Sequence, residues 1–441
     1  MDSRRELGRI GKFSVCTRRD VLSSHAGIVL LKEFVEHLQV ASTLDAQLHV
    51  KCRERGHSES TAILGLVYNL VLGGQCLSDL EVLRGDLGTQ RLLDLPAILA
   101  PTTAGEWLRK FNLGDIYDLQ RVNRLLQERV RPQQARYAPA GASASVYTID
   151  VDSSIYEQAS THKQGSCKAY NGEIGYHPLL AFCAETEELL LSHLRRGGAH
   201  TVSKATWFLA QVLQRVPAGK RKCLRADSGF YCRQVVAFCE QEAIVFAITA
   251  DQTAPLLAAI AALAEGAWTD LEKYGVAQVG ELRYRPTGWS QSYRYIIKRE
   301  LRMNKQGGLY FHYHALVTNN DTDRPATVLA WHLQHADMEN RIKEHKSGLH
   351  LEKFPTRSFH ANWAYLLIGQ IAYNLVVWFK RLVLPRQYHH ATLSTLRHHL
   401  LNLAGKVVQS GRQWCLILNE HYRYQDVWRA AMLRLQILHC S

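Results

Sequence analysis

Several features that the sequence lacks narrow the class of protein before any motif is considered. No two of its 10 cysteines form a Cys-x-x-Cys pair, so no recognisable spacing encodes a structural zinc site. Isolated cysteines among apolar neighbours, such as Cys183 and Cys239, are typical of a reducing compartment. The N-terminus has no apolar core of a signal peptide, and the longest apolar stretch, residues 363–379, is interrupted by Gln370 and Asn374. We therefore expect a cytoplasmic protein without a membrane-spanning segment.

The sequence also has too few acidic residues to balance its basic ones. Its 441 residues include 53 Lys and Arg against 40 Asp and Glu, which gives a formal net charge of +13. A hydrophobic fraction of 46% is typical of a folded globular protein rather than a disordered one. Because an excess of positive charge attracts polyanions, we predict a nucleic acid as the partner. The alternative is a charge that serves solubility alone.

The hydrophobic pattern divides the chain into regions of different secondary structure. Apolar residues at helical spacing dominate up to the linker 138–145, whose small residues are typical of a domain boundary. Beyond the linker, predicted strands alternate with predicted helices, which favours an α/β sheet. We predict the following parts: an all-helical domain (1–140), an α/β core (141–250 and 326–385), a β-rich insertion (251–325) and a C-terminal helical region (386–441).

Two aspartates each close a predicted strand of the α/β core. Asp152 ends the strand 145–152, and Asp227 ends the strand 222–227. Ligands of open α/β sheets collect beyond the carboxyl ends of the strands, so both acids are expected to converge there. Carboxylate oxygens suit Mg²⁺ or Mn²⁺, and two such ions support phosphodiester cleavage. The alternatives are a strand-end turn residue for Asp152 and a helix N-cap for Asp227.

A third acid lies in the predicted helical run 332–346. Helical spacing places one carboxylate among basic or potentially basic side chains on one face, namely His332, His335, Glu339, Lys343 and Lys346. Taken alone, this pattern favours a solvated, salt-bridged helix surface. Glu344, which lies off this line, is a rival for the acidic role.

Several other residues have both a functional and a structural interpretation. The histidine pairs in the sequence lack a partnering zinc-ligand spacing, so surface or phosphate-contacting roles are favoured. The turn that contains Arg195 and Arg196 suits either a contact with the DNA backbone or a solvated hairpin. Trp289 and Tyr293, in the predicted insertion, suit either base stacking or ordinary strand packing.

Several motifs occur in an order that resembles one family of bacterial transposases. They are Gly65 to Arg84, Asp150-Val-Asp-Ser153, Tyr170-Asn-Gly172, Gly175-Tyr-His-Pro-Leu-Leu180, Leu194-Arg-Arg-Gly197, Arg225-Ala-Asp-Ser-Gly-Phe230 and Ala372-Tyr-Asn-Leu375. With these motifs the sequence resembles the IS1380 family, within the broader IS4-like group of insertion-sequence enzymes. The resemblance covers most of the chain.

The resemblance implies an RNase H-like catalytic domain with a DDE triad and a β-rich insertion between its second and third acids. The triad would be Asp152, Asp227 and Glu339, and it would hold two Mg²⁺ (or Mn²⁺) ions. Because the family's first acid precedes a small hydroxyl residue, the motif selects Asp152 over Asp150. Asp150 faces the same side of the strand and remains a fallback.

The third motif of the wider group runs Tyr, Arg, Glu, Lys at fixed spacings. Glu339 and Lys346 fit those spacings, which favours Glu339 over Glu344. His332 and His335 stand where the group has Tyr and Arg, residues expected to hold a DNA phosphate. The resemblance therefore implies phosphate contacts by His332 and His335, although histidine lacks the bidentate fork of arginine.

The function implied by the resemblance is cut-and-paste transposition of an insertion sequence. Water, and then a freed 3′-hydroxyl, would attack phosphodiester bonds in line. The partners would be double-stranded DNA, as terminal inverted repeats and as target, and a second copy of the chain in a homodimeric synapse. Two alternatives stay open: a decayed copy that binds DNA without cutting it, and a nuclease of the RNase H type.

Overall fold

The protein is described by a computed structural model, which covers residues 5–17, 19–51, 56–136, 145–159, 161–271 and 277–439. Except for Ser145, the predicted linker lies outside the described residues. The chain divides into two compact units, the first formed by Met1–Tyr137 with Glu344–Ser441 and the second by Ala138–Lys343. The three acids of the predicted triad all belong to the second unit.

The N-terminal part of the first unit is mainly helical. Its elements are β1 (Arg5–Ile10), β2 (Phe13–Thr17), β3 (Val21–Ser23), α1 (Ile28–His37), α2 (Val40–Gln47), α3 (Glu59–Leu72), α4 (Leu80–Gly85), α5 (Leu87–Leu93), α6 (Pro101–Leu108) and α7 (Leu113–Arg136). Helix α3 is buried along its whole length; Ser58 caps its first turn, and Gly73, at φ 106°, ends it. The hairpin β1–β2 shows that this part is not all-helical as predicted.

The second unit contains the strands of the predicted α/β core, whereas residues 344–385, which were predicted to belong to that core, lie in the first unit. Its elements are β4 (Val146–Ser153), β5 (Tyr156–Glu157), β6 (Cys167–Lys168), β7 (Ile174–Tyr176), β8 (Leu179–Cys183), β9 (Leu189–His193), α8 (Ala205–Leu213), β10 (Arg221–Ala226), α9 (Arg233–Gln241), β11 (Val245–Thr249), α10 (Ala254–Ala261), β12 (Thr269–Asp270), β13 (Ala277–Tyr284), β14 (Tyr293–Met303), β15 (Leu309–Thr318), α11 (Pro325–Leu333) and α12 (Asp337–Lys343). A 3-10 turn, Gln334–Ala336, joins α11 to α12.

Nine strands of the described residues form one mixed sheet in the order β12-β13-β14-β15-β11-β10-β4-β8-β9. Strand β10 runs parallel to both β4 and β11, whereas β8 and β15 are antiparallel to their neighbours β4 and β11. The strands predicted as an insertion therefore extend this sheet through the pairing of β15 with β11. A smaller sheet, β5-β7-β6, lies between β4 and β8 in the chain.

The two faces of the large sheet carry different residues because side chains alternate along each strand. One face packs helices α8, α9 and α10 against β4 residues such as Ile149 and Val151. On the other face, Val328 and Leu329 of α11 pack against Ala247 and Leu316. By the same alternation, Asp150 and Asp152 belong to the face that α11 covers.

The C-terminal part of the first unit contains α13 (Phe359–Leu382), α14 (Leu393–Leu396), β16 (Gly405–Ser410), β17 (Gln413–Ile417) and α15 (Gln425–His439). Helix α13 is buried along most of its length and packs against α3 and α7. The prediction of a wholly helical region 386–441 is wrong, because β16 and β17 form a sheet with β3 from the N-terminal part. Within the described residues no single helix combines the length and apolar composition that a membrane span requires, although α3 and the segment Leu77–Gly85, bent by 95°, pass that test as a pair.

Candidate active site

The register of two parallel strands brings the first two acids together. Ala226 of β10 pairs with Val151 of β4, so the next positions along the two strands are Asp227 and Asp152. Neighbouring strands lie about 4.8 Å apart, which makes these two residues cross-strand neighbours at the carboxyl edge. Asp227 also caps the 3-10 turn Ser228–Phe230 by accepting from the backbone N–H of Gly229 at 3.1 Å. The helix-capping role that the sequence suggested as an alternative for Asp227 is therefore present.

The pKa values of these two acids reflect their burial and their closeness to other negative charges. Burial, together with the negative charges of Asp227 and Glu339, raises the pKa of Asp152 to about 7. Burial also raises the pKa of Asp227, and Asp251 adds to this effect while His335 opposes it. Carboxyls that are partly desolvated and that repel one another favour a bound cation, since a cation restores their ionised forms. The donor set fits a hard divalent ion.

The third acid is less tightly placed than the first two. Glu339 lies in the first turn of α12 and is exposed, and its charge acts on Asp152. Among the described residues no three His, Cys, Asp or Glu side chains are close enough together to hold one ion. In this structure Asp152 and Asp227 are therefore brought together by the strand register, whereas Glu339 acts on Asp152 through its charge without forming a three-acid cluster.

Asp150 is fully occupied by partners inside the protein. Its carboxylate accepts two hydrogen bonds from Arg225, at 2.7 and 2.9 Å, and one from Arg341 at 2.9 Å. Nδ1 of His335 lies 3.2 Å from the same carboxylate. Burial raises the pKa of Asp150, but the hydrogen bonds from His335 and Arg225 outweigh it and hold the pKa below its usual range. Asp150 is therefore an anchor, which supports Asp152 as the first acid.

Glu344, the rival of Glu339, has a structural partner in the first unit. Its carboxylate accepts from the backbone N–H of Leu393 at 2.7 Å, at the first residue of α14. A carboxylate at a helix N-terminus is stabilised there by the unpaired N–H groups of the first turn. This contact favours Glu339 as the third acid.

The structure corrects the phosphate contact predicted for His332. The side chain is buried at 4% exposure, and its Nε2 lies 2.9 Å from Oγ1 of Thr249. Burial, together with nearby histidines, lowers the pKa of His332 to about 3, so the ring is neutral and enclosed. His335 remains partly exposed, but it directs Nδ1 to Asp150 rather than to solvent. A phosphate contact through the other ring nitrogen of His335 stays a prediction.

The four remaining predicted DNA contacts divide by burial. Arg195 is 5% exposed, and its guanidinium donates to backbone carbonyls of His177, His200, Thr201 and Ser203. Its predicted role in DNA contact is wrong, because the side chain instead holds the loop after β9 together. Arg196 and Lys343 are exposed and Lys346 is half-buried. Their contacts with DNA stay predictions.

Some residues around the acids were not singled out from the sequence. Arg225, Arg341 and His335 surround the carboxylate of Asp150 and form what we call the Asp150 cluster. The only sequence feature that points to the two arginines is that each lies two residues from a predicted acid. The ring of His177 lies 2.8 Å from Oγ of Ser153, the residue that follows Asp152. Tyr293, by contrast, was considered from the sequence for base stacking or strand packing. It is packed, since its hydroxyl donates to Glu240 at 3.0 Å and its ring lies against Trp289.

Comparison with known proteins identifies the family to which the chain belongs. The sequence pattern of the family described as transposase DDE domain group 1 matches residues 14–440. No curated protein gives a significant match. Among solved structures, the fold is similar to the cryo-EM structure of a piggyBac transposase synaptic complex with hairpin DNA, at 10% identity and a TM-score of 0.43, over 94% of this chain and 81% of that one.

The family match extends over nearly the entire sequence and thus includes both aspartates, Glu339 and the strands and helices that carry them. Enzymes with this domain use divalent metal ions. The chain belongs to the transposase DDE domain group 1 family and is a DDE transposase, an enzyme that cleaves DNA and transfers the cut strands.

Proposed function

We propose that the chain catalyses cut-and-paste transposition of an insertion sequence of the IS1380 type, with Asp152, Asp227 and Glu339 as its catalytic acids. The observation that carries the proposal is the register of β4 and β10. It makes Asp152 and Asp227 neighbours at the carboxyl edge of the sheet. Both side chains carry pKa values raised by burial and by nearby negative charge.

The three acids would hold two Mg²⁺ (or Mn²⁺) ions. Such ions activate an attacking oxygen and stabilise the leaving oxygen of a phosphodiester. The protein supplies the carboxylates at fixed positions on two strands, and it supplies Glu339 on a helix fastened by the Asp150 cluster. Arg341, two residues after Glu339, links α12 directly to the sheet through its 2.9 Å bond to Asp150.

The strand order supports an RNase H-like core. Strands β9, β8 and β4 are antiparallel neighbours, and β10 and β11 continue the sheet in parallel with β4. The first acid lies at the end of β4, the second follows β10, and the third comes from a helix after β15. This arrangement is the one that the resemblance to the IS4-like group implies.

The partners would be double-stranded DNA, bound as terminal inverted repeats and as target, and a second copy of the chain in the synapse. The net charge of +13 favours a polyanion. Exposed Arg196 and Lys343, on the unit that carries the acids, suit contacts with phosphates near the cleavage site. We place the protein in the cytoplasm, at the nucleoid when it is bound to DNA.

The test is Mg²⁺-dependent cleavage of a labelled DNA that carries a terminal repeat of the element. We expect release of a 3′-hydroxyl end at the repeat boundary, and joining of that end to a second DNA. Asp152→Asn and Asp227→Asn should abolish both steps and keep binding to the repeat. Lys343→Ala should weaken binding, with a shallower dependence on salt concentration.

The outcomes separate the proposal from its alternatives. Binding to the repeat without cleavage by the unaltered chain identifies a decayed copy. Cleavage that does not depend on the repeat identifies a nuclease of the RNase H type. Repeat-dependent cleavage that survives Asp152→Asn contradicts the assignment of the triad.

A further inference from the structure

The most exposed of the large apolar or aromatic side chains in the described residues is Tyr170, with an exposed fraction of 82%. It lies in the turn between β6 and β7. That turn is closed by hydrogen bonds from the N–H of Ala169 to Glu173 at 2.7 Å and from the N–H of Gly172 to Ala169 at 3.0 Å. Gly172 has a φ of 90°, which favours glycine. A defined turn thus holds an aromatic ring out into solvent.

A short series of contacts connects the exposed ring of Tyr170 to the carboxyl edge of the sheet. The Tyr170 ring centroid lies 5.6 Å from that of His177. Nε2 of His177 lies 2.8 Å from Oγ of Ser153, and its Nδ1 lies 2.8 Å from the carbonyl oxygen of Ala199. Ser153 follows Asp152 and donates its backbone N–H to that carboxylate at 2.6 Å. Tyr170 is thus linked, through His177 and Ser153, to the end of β4 that carries Asp152.

The backbone beneath Tyr170 is packed too closely to shift easily. A Cβ atom on Gly197 would lie 2.2 Å from the carbonyl oxygen of Gly175 and 2.3 Å from that of Cys167. A Cβ on Gly175 would lie 2.4 Å from the carbonyl oxygen of Tyr156. A β-bridge between Tyr176 and Arg196 joins the same segments. The small sheet and the loop after β9 thus form a firm support for the ring.

Two cationic side chains on the support of Tyr170 are suited to contact phosphates. Lys168 and Arg196 are exposed on the same support, with the carboxylates of Glu157 and Glu173 also exposed on the small sheet. An exposed aromatic ring next to cations is the arrangement by which proteins bind single-stranded nucleic acid, because the ring stacks on a base and the cations contact phosphates. Tyr293, the tyrosine of the β-rich region considered above for base stacking, is a poorer candidate, since it is only 6% exposed.

We propose that Tyr170 stacks on the base of an unpaired nucleotide beside the phosphate that Asp152 and Asp227 act on, with Lys168 and Arg196 at the flanking phosphates. The nucleotide must be unpaired, because both faces of a paired base inside a duplex are covered by its neighbours. The inference rests on the proposed function, since it places the scissile phosphate at these acids. It adds a requirement for local opening of the DNA.

The test uses the full chain and terminal-repeat DNA with 2-aminopurine substituted singly at each position around the cleavage site. We expect the fluorescence to change at one or two positions when the unaltered protein binds without metal. The change should disappear with Tyr170→Ala and persist with Tyr170→Phe. Tyr310→Ala is the matched control, because Tyr310 is another exposed tyrosine (45%) of the same unit.

A second measurement asks whether the base itself is the ligand. Stacking is worth about 1–3 kcal/mol per base, so Tyr170→Ala should slow cleavage by about 5- to 150-fold. On DNA with an abasic site at the responsive position, unaltered protein and Tyr170→Ala should cleave at equal rates. Equal fluorescence and equal cleavage of the two proteins on intact DNA would overturn the inference.

Failure of the inference about Tyr170 can be distinguished from failure of the proposed function. If the unaltered chain cleaves the repeat and Tyr170→Ala behaves identically, only the role of Tyr170 fails. If the unaltered chain binds but does not cleave, the fluorescence measurement still decides the role of Tyr170. If it neither binds nor cleaves the repeat, both proposals fail.

Discussion

The guanidinium of Arg225 meets the carboxylate of Asp150 through two hydrogen bonds, one of 2.7 Å from Nε and one of 2.9 Å from Nη2. The two side chains are 2% and 0% exposed, so the pair is sealed from solvent. Arg225 also donates to the carbonyl oxygen of Trp331 in α11 at 2.7 Å, and Asp150 also accepts from Arg341 in α12. One buried ion pair therefore fastens strands β4 and β10 to α11 and to α12, the helix that carries Glu339.

We expect Asp150→Asn to destabilise the protein without removing a catalytic group. Removing one charge of a buried pair costs about 3–5 kcal/mol, because the remaining charge is left without compensation. Two arginines would be left in this case. The free energy of unfolding, measured by denaturant titration, should fall by that amount.

Asp152→Asn is the matched control on the same face of the same strand. It should leave the free energy of unfolding unchanged or raise it, because Asp152 is partly desolvated and repelled by Asp227. A stable Asp150→Asn protein together with an unstable Asp152→Asn protein would reverse the roles assigned to the two acids.

Glu339 and Glu344 should differ in what their substitution removes. We expect Glu339→Gln to reduce the rate of cleavage at least about 100-fold. Substitution of a residue that only supports a metal ligand already costs up to about 100-fold, and Glu339 is proposed as a ligand itself. Glu344→Gln removes a charged acceptor from the backbone N–H of Leu393, so it should lower the free energy of unfolding by about 1 kcal/mol. Rates of cleavage and unfolding curves for both variants provide the check. Loss of cleavage with Glu344→Gln alone would contradict the choice of Glu339.

His332 should make the protein sensitive to acid. Because its pKa is lowered from 6.5 to about 3 by burial and by nearby histidines, the unfolded chain binds a proton that the folded chain does not between those values. Its contribution to the free energy of unfolding is therefore present above pH 6.5 and is lost as the pH falls towards 3.

The check for His332 is the free energy of unfolding at several pH values, for the unaltered protein and for His332→Gln, which does not titrate. The difference between the two proteins should change between pH 6.5 and 3. A constant difference over that range would show that the ring is not buried as a neutral base.

Local sequence patterns were sufficient to predict that Asp152 and Asp227 lie at neighbouring strand ends. They were insufficient to predict which side chains contact the acids. Asp152 and Asp227 end β-branched or apolar strands, and parallel strands share a carboxyl edge, so neighbouring residues alone indicate a site. Period-two alternation put Asp150 and Asp152 on one face and left both available. The family motif selects Asp152, and the structural reason for that choice lies in Arg225 and Arg341, which are distant in sequence from Asp150 and occupy its carboxylate.

Contacts between distant residues also explain the errors. His332 was predicted to contact DNA because it occupies the Tyr position of the motif in the resembling group, yet its side chain is buried against the sheet residue Thr249. Strands β16 and β17 were missed because their sheet includes β3, about 380 residues earlier in the chain. A helical pattern identifies an amphipathic face, but it does not indicate what covers that face.

The raised pKa of Asp152 gives the metal-free protein a pH dependence opposite to that of His332. The folded pKa of about 7 exceeds the ordinary pKa of 3.8 for an aspartate, so the folded state holds a proton that the unfolded state releases between these values. Stability due to this group is fully present below pH 3.8 and is lost as the pH rises through 7. In EDTA, the unaltered protein should lose stability relative to Asp152→Asn over this interval, as measured by denaturant titration. An invariant difference between the two proteins would show that Asp152 is not desolvated.

Binding of Mg²⁺ should reverse this protonation, because a cation favours the ionised carboxyl. Near pH 7 a substantial fraction of Asp152 carries a proton in the metal-free protein, so binding should release protons. Calorimetric titration with Mg²⁺ at pH 7, in buffers of different ionisation enthalpy, measures the number released. The release should vanish with Asp152→Asn and persist with Asp150→Asn, since the cationic partners of Asp150 keep it ionised before the metal binds. Mg²⁺ at 100 times its Kd should also raise the free energy of unfolding by about 2.7 kcal/mol. Proton release that is unaffected by Asp152→Asn would place the metal elsewhere in the protein.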